Sequence, residues 1–345
     1  MKTAIDLFCG SGAVTLGLKK AGFRVLAAVD MDPLACATYR SNHPEVHLLE
    51  EDIVNVDPNG LRPLAKGGLD LLVVCAPCQP FSNRNRFRSS KDQRVGLVLK
   101  SLSFINALQP ELVFFENVPG FGSQPVFKKL EKGLLKAGYF LEGPHKVDAA
   151  QFGVPQRRHR MVLLGGRNEK ILRESGRLVL KDGRLMTVRH AIGDLPEPPV
   201  RVARSEDPLH FARRHAEITI QRLRHIPHDG GGRESLPEKL RLACHSGLKK
   251  NSFPDSYGRM KWNDVAPTLT TGCNDLTKGR YAHPEQDRAI TLREAARLQS
   301  FPDDYIFKGN GSQVAAQIGN AVPPQMMAAI AGRFSDVLPE TTSGI

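Results

Sequence analysis

Five short apolar runs in the first 165 residues constrain the fold of this 345-residue chain more than any other feature. Each run is apolar throughout, and stretches with amphipathic, helix-like spacing separate the runs. Such runs are typical of buried strands in a mostly parallel sheet that helices cover. The sequence therefore predicts an α/β fold with strands at Ala4–Phe8, Val25–Val29, Leu69–Cys75, Leu112–Glu116 and Met161–Leu164.

The pattern changes between residues 166 and 285, where PEPPV, HDGGGRE and NSFPDSYGR have the composition of turns. We expect a smaller, loop-rich domain there, and a larger domain formed by residues 1–165 together with 286–345. Thr291 and Glu294 have the spacing of a capping box at a helix start. Helical spacing continues from Gln313 to Phe334, interrupted by GNAVPP.

The charge of the chain suits a polyanionic partner, since the formal net charge is +12. Between Arg167 and Met260 there are 19 Lys and Arg residues against 12 Asp and Glu residues. More than half of the positive excess therefore lies in about a quarter of the chain. We expect the phosphate-facing surface of the protein in this region.

The six cysteines are few and irregularly spaced, which indicates reduced thiols in an intracellular protein. The first residues, MKTAIDLFCG, lack the pattern of a signal peptide. Nor does any stretch reach the roughly 18 consecutive apolar residues that a membrane-spanning helix needs. We expect a cytoplasmic protein without membrane contact.

A glycine-containing turn follows the first predicted strand in DLFCGSG. Gly10 and Gly12 allow the main chain to turn tightly and a ligand to approach it closely. Asp30 ends the second strand, twenty residues beyond Gly10, where an acidic side chain can bind a ribose diol. A purely structural turn and a dinucleotide site are the alternatives. Thr15 weakens the second, because it occupies the place of the third glycine in G-x-G-x-x-G.

Cys78 lies in APCQPFS, directly after the third strand and at the carboxyl edge of the sheet. Pro77 and Pro80 stiffen this loop. A buried structural thiol, half a zinc site and a redox pair with Cys75 are alternatives. A zinc site would need a second pair of ligands, which the sequence does not offer. A redox pair is disfavoured because Cys75 is expected to face the sheet while Cys78 lies on the loop. A nucleophile remains, and the basic residues of the following loop could make its surroundings electropositive.

Two further groups of polar residues follow later strands. Glu116 ends the fourth strand and so enters the same crevice, where acid chemistry is possible. In QFGVPQRRHR, alternate residues of an extended segment face one side. Gln156, Arg158 and Arg160 should therefore project together and could grip a base carbonyl and a phosphate.

Six motifs, in one order along the chain, are similar to those of the DNA (cytosine-5) methyltransferase family of the prokaryotic restriction-modification type. DLFCGSG resembles its cofactor motif, PCQPFS its nucleophile motif and ENV its glutamate motif. QRRHR resembles the Q-x-R-x-R motif, REAARLQSFP the helix after the recognition domain and GNAVPP the last cofactor motif. The match covers most of the chain, and six motifs in register are a specific signal.

The resemblance implies a Rossmann-like fold dependent on S-adenosylmethionine, with a target recognition domain at residues 166–285. It implies no metal. Cofactor contacts carried over by position are Phe8, Gly10, Gly12, Asp30, Asp52, Ile53, Asn320 and Val322. Catalytic positions are Cys78, Glu116, Arg158 and Arg160. Ser82 would contact the target phosphate, and we expect Arg84, Arg86 and Gln156 to contact the nucleic acid too.

The activity that the resemblance implies is methyl transfer to C5 of a cytosine flipped out of a specific duplex sequence. In the expected mechanism the Cys78 thiolate adds to C6, Glu116 offsets the charge that builds up, and Arg160 holds the exocyclic oxygen. A stacked base is unreachable for this attack and must be flipped. The basic loop after Phe81 is our candidate for the lid.

Double-stranded DNA is the partner that we expect, bound by a monomer of a prokaryotic, nucleoid-associated enzyme. A cognate restriction endonuclease would act separately. The alternatives are the tRNA-methylating branch of the same family, a catalytically inactive DNA-binding homologue and a nicotinamide-dependent oxidoreductase.

Overall fold

A seven-stranded sheet forms the centre of the structure, a computed structural model that describes residues 1–77, 96–176, 185–199, 207–242 and 255–339. The strand order is β3-β2-β1-β4-β5-β7-β6. Strands β1 to β5 are parallel, and β7 pairs antiparallel with both β5 and β6. The strands are β1 (Thr3–Leu7), β2 (Arg24–Asp30), β3 (His47–Glu50), β4 (Leu71–Val74), β5 (Leu112–Asn117), β6 (Phe140–Asp148) and β7 (His159–Gly166).

This mixed, mostly parallel sheet confirms the predicted fold class, and all five predicted strands are present. Apolar runs do not predict β3 and β6. Both are edge strands that mix exposed with partly buried residues, and so they lack the continuous apolar character of strands buried on both faces.

Helices cover both faces of the sheet. Leu18 and Phe334 pack against one face, and Phe104 and Leu130 pack against the other. The helices of the described residues are α1 (Ala13–Lys20), α2 (Pro33–Asn42), α3 (Leu97–Leu108), α4 (Pro125–Lys136), α5 (Glu169–Ser175), α6 (Val188–Ile192), α7 (Glu217–Arg224), α8 (Leu292–Leu298), α9 (Gly311–Asn320) and α10 (Pro324–Val337).

The predicted capping box opens α8. The Glu294 backbone N–H donates to Thr291 Oγ1 at 3.1 Å, and the Thr291 N–H donates to Glu294 Oε2 at 2.7 Å. The predicted interruption between residues 313 and 334 is the joint of α9 and α10. Proline cannot continue the first helix but suits the start of the second, which Pro324 opens.

The region from 166 to 285 contains a small apolar cluster of its own, which includes Leu223, Ile226 and Tyr257. Its first described helix, α5, packs instead against α10 and the strands β6 and β7. The domain limits stay a prediction, and these contacts favour a start of the smaller domain after Ser175. None of the helices in the described ranges has both the length and the apolar character needed to cross a membrane.

Candidate active site

A cleft of about 570 Å³ opens at the carboxyl edge of the sheet, where β1 and β4 lie side by side. The strand order reverses here, because β2 and β3 continue on one side while β4 and β5 continue on the other. Open α/β sheets bind ligands at such points, and the volume is typical of small-molecule sites. The lining comes from segments 8–14, 30–35, 75–77 and 313–322 together with Glu116, Arg158 and Arg160.

The turn after β1 forms one wall of the cleft. Phe8 and Gly10 line it and have left-handed backbone conformations, with φ of 62° and 52°. Such a conformation costs glycine little, whereas for Phe8 it is strained. Gly12, with φ of 92°, is not among the described lining residues. A Cβ there would lie 2.6 Å from the ring of His43, which is also outside the described lining.

Asp30 faces this turn from the end of β2. Its Oδ2 accepts a hydrogen bond of 2.8 Å from the Gly10 N–H, and its Oδ1 accepts one of 2.9 Å from the Asp32 N–H. Burial raises the pKa of the Asp30 carboxyl, and the two backbone donors oppose that shift. Each carboxylate oxygen retains a lone pair for a ligand hydroxyl.

The end of α9 and the residues that follow form the opposite wall. Asn320 and Val322 line the cleft, where the resemblance places them. Asp52 and Ile53 are outside the described lining. Asp52 accepts a hydrogen bond of 3.0 Å from the Val54 N–H, and Ile53 packs into the apolar core. Their assignment to the cofactor stays a prediction.

An ion pair joins Glu116, near the end of β5, to Arg160 in β7. Glu116 Oε1 lies 2.7 Å from Arg160 Nε, and the two side chains are 9% and 13% exposed. Antiparallel pairing of the strands aligns Glu116 with Val162 and so brings Arg160 near the same strand end. Both side chains line the cleft. A carboxyl and a guanidinium thus share one dehydrated wall.

Gln156 and Arg158 face the same side as Arg160, as the alternation predicts, while Arg157 and His159 are half-exposed. Gln156, however, is 0% exposed. Its amide donates to Leu298 O and Gln299 Oε1 and accepts from the Leu269 N–H. These bonds use the amide inside the protein, so the structure does not support the predicted contact of Gln156 with nucleic acid.

Arg158 is also buried, at 2% exposure, although part of it reaches the cleft. Its Nη1 and Nη2 each donate a 3.0 Å hydrogen bond, to Leu269 O and Gly319 O. Gly319 adjoins Asn320 in the lining. These contacts favour a positioning role for Arg158 over a direct contact with a substrate.

The segment after β4 leads along the chain to the predicted nucleophile. Cys75, Ala76 and Pro77 line the cleft, and Asn117 Nδ2 donates to Ala76 O at 3.2 Å. Position 78 follows directly. Cys78, Ser82, Arg84 and Arg86 lie outside the described residues, and their assigned roles stay predictions.

Several lining residues were not singled out by sequence reasoning, among them Met31, Gln313 and Gln317. The helix that carries Gln313 and Gln317 has a sequence signal, because Asn310 and Gln313 have the N-x-x-Q spacing of a capping box. The structure contains this box at the start of α9. Met31 carries no comparable signal beyond its position after Asp30.

The family model for C-5 cytosine-specific DNA methylases matches residues 2–336 of the chain. The chain belongs to this family. The match confirms the resemblance found from the six motifs, and it excludes the nicotinamide-dependent oxidoreductase. Members of the C-5 cytosine-specific DNA methylase family are methyltransferases that depend on S-adenosylmethionine.

Two relatives of the chain come from bacteria. The type II methylase M.HgiDII of Herpetosiphon aurantiacus is 38% identical over 329 residues, which cover 92% of this chain and 91% of the relative. The type II methyltransferase M.PspPI of a Psychrobacter strain is 35% identical over 341 residues, covering 94% and 77%.

Solved structures agree with the fold. A candidate DNA modification methyltransferase encoded within an E. coli prophage superposes with a TM-score of 0.71 at 25% identity, covering 98% of this chain and 99% of that one. The S. pombe Dnmt2 methyltransferase has a TM-score of 0.65 at 18% identity, covering 98% of both chains, and shows the fold alone.

Proposed function

We propose that this protein transfers a methyl group from S-adenosylmethionine to C5 of a cytosine flipped out of a specific duplex DNA sequence. The observation that carries the proposal is the Glu116–Arg160 ion pair, which lines the same cleft as the glycine-containing turn and the end of α9. The cleft thus combines a nucleotide-type wall with a carboxyl and a guanidinium suited to a pyrimidine ring.

The residues of the cleft fit S-adenosylmethionine. Asp30 presents a carboxylate for the two ribose hydroxyls, Phe8 and Gly10 form a wall of ring and bare main chain, and Asn320 adds an amide opposite them. When bound, the cofactor supplies an electrophilic methyl group on a sulfonium. The pyrophosphate-binding groove of dinucleotide enzymes is not needed for this ligand.

The protein's own groups would make C5 of the cytosine nucleophilic. The thiolate of Cys78 would add to C6, so that a carbon–sulfur bond forms and the electron pair of the C5–C6 double bond shifts to C5 and, by conjugation, toward N3. Glu116 offsets this charge by sharing a proton with ring N3, while Arg160 holds the exocyclic oxygen. C5 would then take the methyl group as the methyl–sulfonium bond breaks and S-adenosylhomocysteine is left. Loss of the C5 proton to a base would re-form the C5–C6 double bond while the C6–sulfur bond breaks and Cys78 leaves as a thiolate.

Cys75 is the rival nucleophile, and its surroundings disfavour it. Burial raises the pKa of the Cys75 thiol well above its ordinary value, and the nearby carboxylates of Glu116 and Asp6 add to the shift. With this raised pKa the Cys75 thiol stays protonated at neutral pH. It is therefore a poor nucleophile, because the thiolate is the reactive form. Cys78, which directly follows the cleft-lining Pro77 in the sequence, is the better candidate.

A mechanism-based probe tests the nucleophile. Duplex DNA with 5-fluorocytosine in the target site cannot complete the elimination step, because the C5 fluorine cannot leave as a proton does. With S-adenosylmethionine present, we expect the wild-type protein to form an adduct that survives denaturing electrophoresis, and Cys78→Ala to form none.

The matched control is Cys273→Ala, which removes a buried thiol from the apolar cluster around α8 and α9 and outside the cleft lining. This variant should form the adduct as the wild type does. An adduct of Cys78→Ala at the wild-type level would refute the assignment of the nucleophile.

The smaller, basic region is our proposed target recognition domain, and Arg and Lys side chains there would read guanines through the major groove. Ser82, Arg84 and Arg86 are proposed contacts to the DNA backbone. We infer a monomer that acts on DNA in a nucleoid-associated bacterial setting. The similarity to type II methylases of bacteria supports a separate cognate endonuclease. Bisulfite sequencing of a plasmid modified by the protein reports activity and target sequence together, and methylation of tRNA but not of the plasmid would contradict the proposal.

A further inference from the structure

Two buried side chains hydrogen-bond to the turn after β1, residues 8–12, which we call the cofactor-side turn. The Tyr305 hydroxyl donates to Ser11 O, and His43 Nε2 lies 3.0 Å from Gly12 O. Tyr305 is 4% exposed and His43 is 1% exposed. Neither residue is among the described lining residues of the cleft.

The contacts of the ring define how His43 acts. Burial, together with the charge of Lys19, lowers the pKa of His43 to about 4, so the imidazole is neutral at physiological pH. A neutral imidazole has one donor and one acceptor nitrogen. Since Nδ1 lies 3.4 Å from Lys19 Nζ, which can only donate, Nε2 carries the proton and donates to Gly12 O.

The turn is therefore held from two directions. Its Gly10 N–H points to Asp30 on the cleft side, while its carbonyls at Ser11 and Gly12 point to Tyr305 and His43. Each bond fixes the plane of one peptide. The left-handed conformations of Gly10, which lines the cleft, and of Gly12, which is outside the described lining, depend on the orientation of these planes.

We propose that Tyr305 and His43 are positioning residues that hold the turn after β1 in the conformation that binds S-adenosylmethionine, without touching the cofactor. The inference rests on the proposed function, which assigns this turn to the cofactor. It links a residue beyond α8 to the first loop of the chain, which no motif of the sequence indicates.

The hydroxyl of Tyr305 can be removed without releasing its segment. Asn42 at the end of α2 donates to Ile306 O at 2.8 Å and accepts from the Ile306 N–H at 3.0 Å. Thr38 Oγ1 accepts a further hydrogen bond of 2.9 Å from the Lys308 N–H. The ring also packs on Phe301 and Phe307. Tyr305→Phe should therefore delete one hydrogen bond and leave the segment in place.

Tyr139 provides a matched control. It is 2% exposed, and its hydroxyl donates to Pro110 O at 2.7 Å, before the start of β5 and away from the carboxyl edge. Tyr139→Phe thus removes the same type of buried hydrogen bond. A merely structural role of Tyr305 predicts similar effects of both substitutions on thermal stability and no effect of either on cofactor affinity.

The test is calorimetric titration of the full-length protein with S-adenosylhomocysteine, which binds without reaction. We expect Tyr305→Phe to weaken binding about five- to tenfold, the effect of one lost hydrogen bond, and Tyr139→Phe to bind within about twofold of wild type. His43→Gln, which keeps an amide donor, should bind better than His43→Leu. If Tyr305→Phe does not fold, the comparison of the two His43 variants still tests whether a hydrogen bond to the turn affects cofactor affinity.

The outcomes separate the inference from the proposed function. If the wild-type protein binds neither S-adenosylhomocysteine nor S-adenosylmethionine, the proposed function fails. If the wild type binds and Tyr305→Phe binds as Tyr139→Phe does, the inference is overturned for Tyr305 while the proposed function stands. Equal affinities of the two His43 variants would overturn the part assigned to His43.

Discussion

Asp6 is fully buried near the end of β1, the strand that precedes the cofactor-side turn. Its Oδ2 accepts a 2.9 Å hydrogen bond from Thr15 Oγ1, and Oδ1 is buried with no hydrogen-bond partner among the residues described. Burial raises the pKa of this carboxyl to about 7, and the charge of Asp30 adds to the shift. A carboxyl in such surroundings favours its neutral form.

Replacing Asp6 by Asn should therefore change stability in a pH-dependent way. In the unfolded chain Asp6 ionises near pH 3.8, and in the folded protein near pH 7. The stabilising contribution of the protonated form is thus complete below pH 4 and is lost as the pH rises to 7. The wild type loses this contribution as the pH rises, whereas asparagine does not titrate. We therefore expect the free energy of unfolding of Asp6→Asn, relative to that of the wild type, to increase by roughly 2 kcal/mol between pH 5 and pH 8.

Urea unfolding of the two proteins at both pH values measures this difference, and the other titrating groups cancel in the comparison. A stability difference that does not change with pH would show that Asp6 ionises normally in the folded protein.

At the residue scale, the sequence predicts which side chains lie at the edge of the sheet better than it predicts how deeply each is buried. Asp30 and Glu116 were found because each ends an apolar strand, and strand ends meet at one edge of the sheet. The alternation of Gln156, Arg158 and Arg160 was also correct. The burial of Gln156 could not be predicted, because it depends on Gln299 and Leu269, which are distant in the sequence.

At the scale of elements, α1 and α10 form a close helix pair on one face of the sheet. A Cβ at Gly17 of α1 would lie 2.6 Å from both Met327 Cβ and Pro324 O of α10. Backbone and Cβ atoms cannot move aside as the end of a flexible side chain can. The approach of the two helices thus depends on the missing side chain at position 17.

Gly17→Ala should destabilise the protein by roughly 1–3 kcal/mol through overpacking, although alanine favours helices. Gly332 in α10 is the control, because a Cβ there would meet nothing within 4 Å. We expect Gly332→Ala to stabilise the protein by about 0.5–1 kcal/mol. The measurement is the free energy of unfolding in urea, and stabilisation by both substitutions would contradict the helix packing described.

Elements with strong local signals were predictable, and those defined by their neighbours were not. Apolar runs predict buried strands such as β1 and β5, and the capping-box spacing of Thr291 and Glu294 predicts the start of α8. β6 carries no such signal, since an edge strand pairs on one side only. The packing of α5 on α10 likewise depends on tertiary contacts rather than on its own sequence.

At the scale of the whole molecule, the net charge of +12 determines how the proposed DNA complex should respond to salt. A protein that neutralises about six phosphates loses about 10³ in duplex affinity between 50 and 200 mM salt. We expect a loss of this order for a duplex of 30 base pairs, measured by fluorescence anisotropy. The affinity for S-adenosylhomocysteine, measured in parallel, should change far less. A salt-independent duplex affinity would argue against a phosphate-facing basic region.

The cofactor-side cleft has one wall from residues 8–14 and the opposite wall from residues 313–322. During synthesis the first wall leaves the ribosome before the second, and it has no counterpart until residues 313–322 have been made. A message broken before codon 313 therefore yields a chain without the second wall. The cell thus acquires this DNA-modifying capacity only with chains that extend through the second wall at residues 313–322.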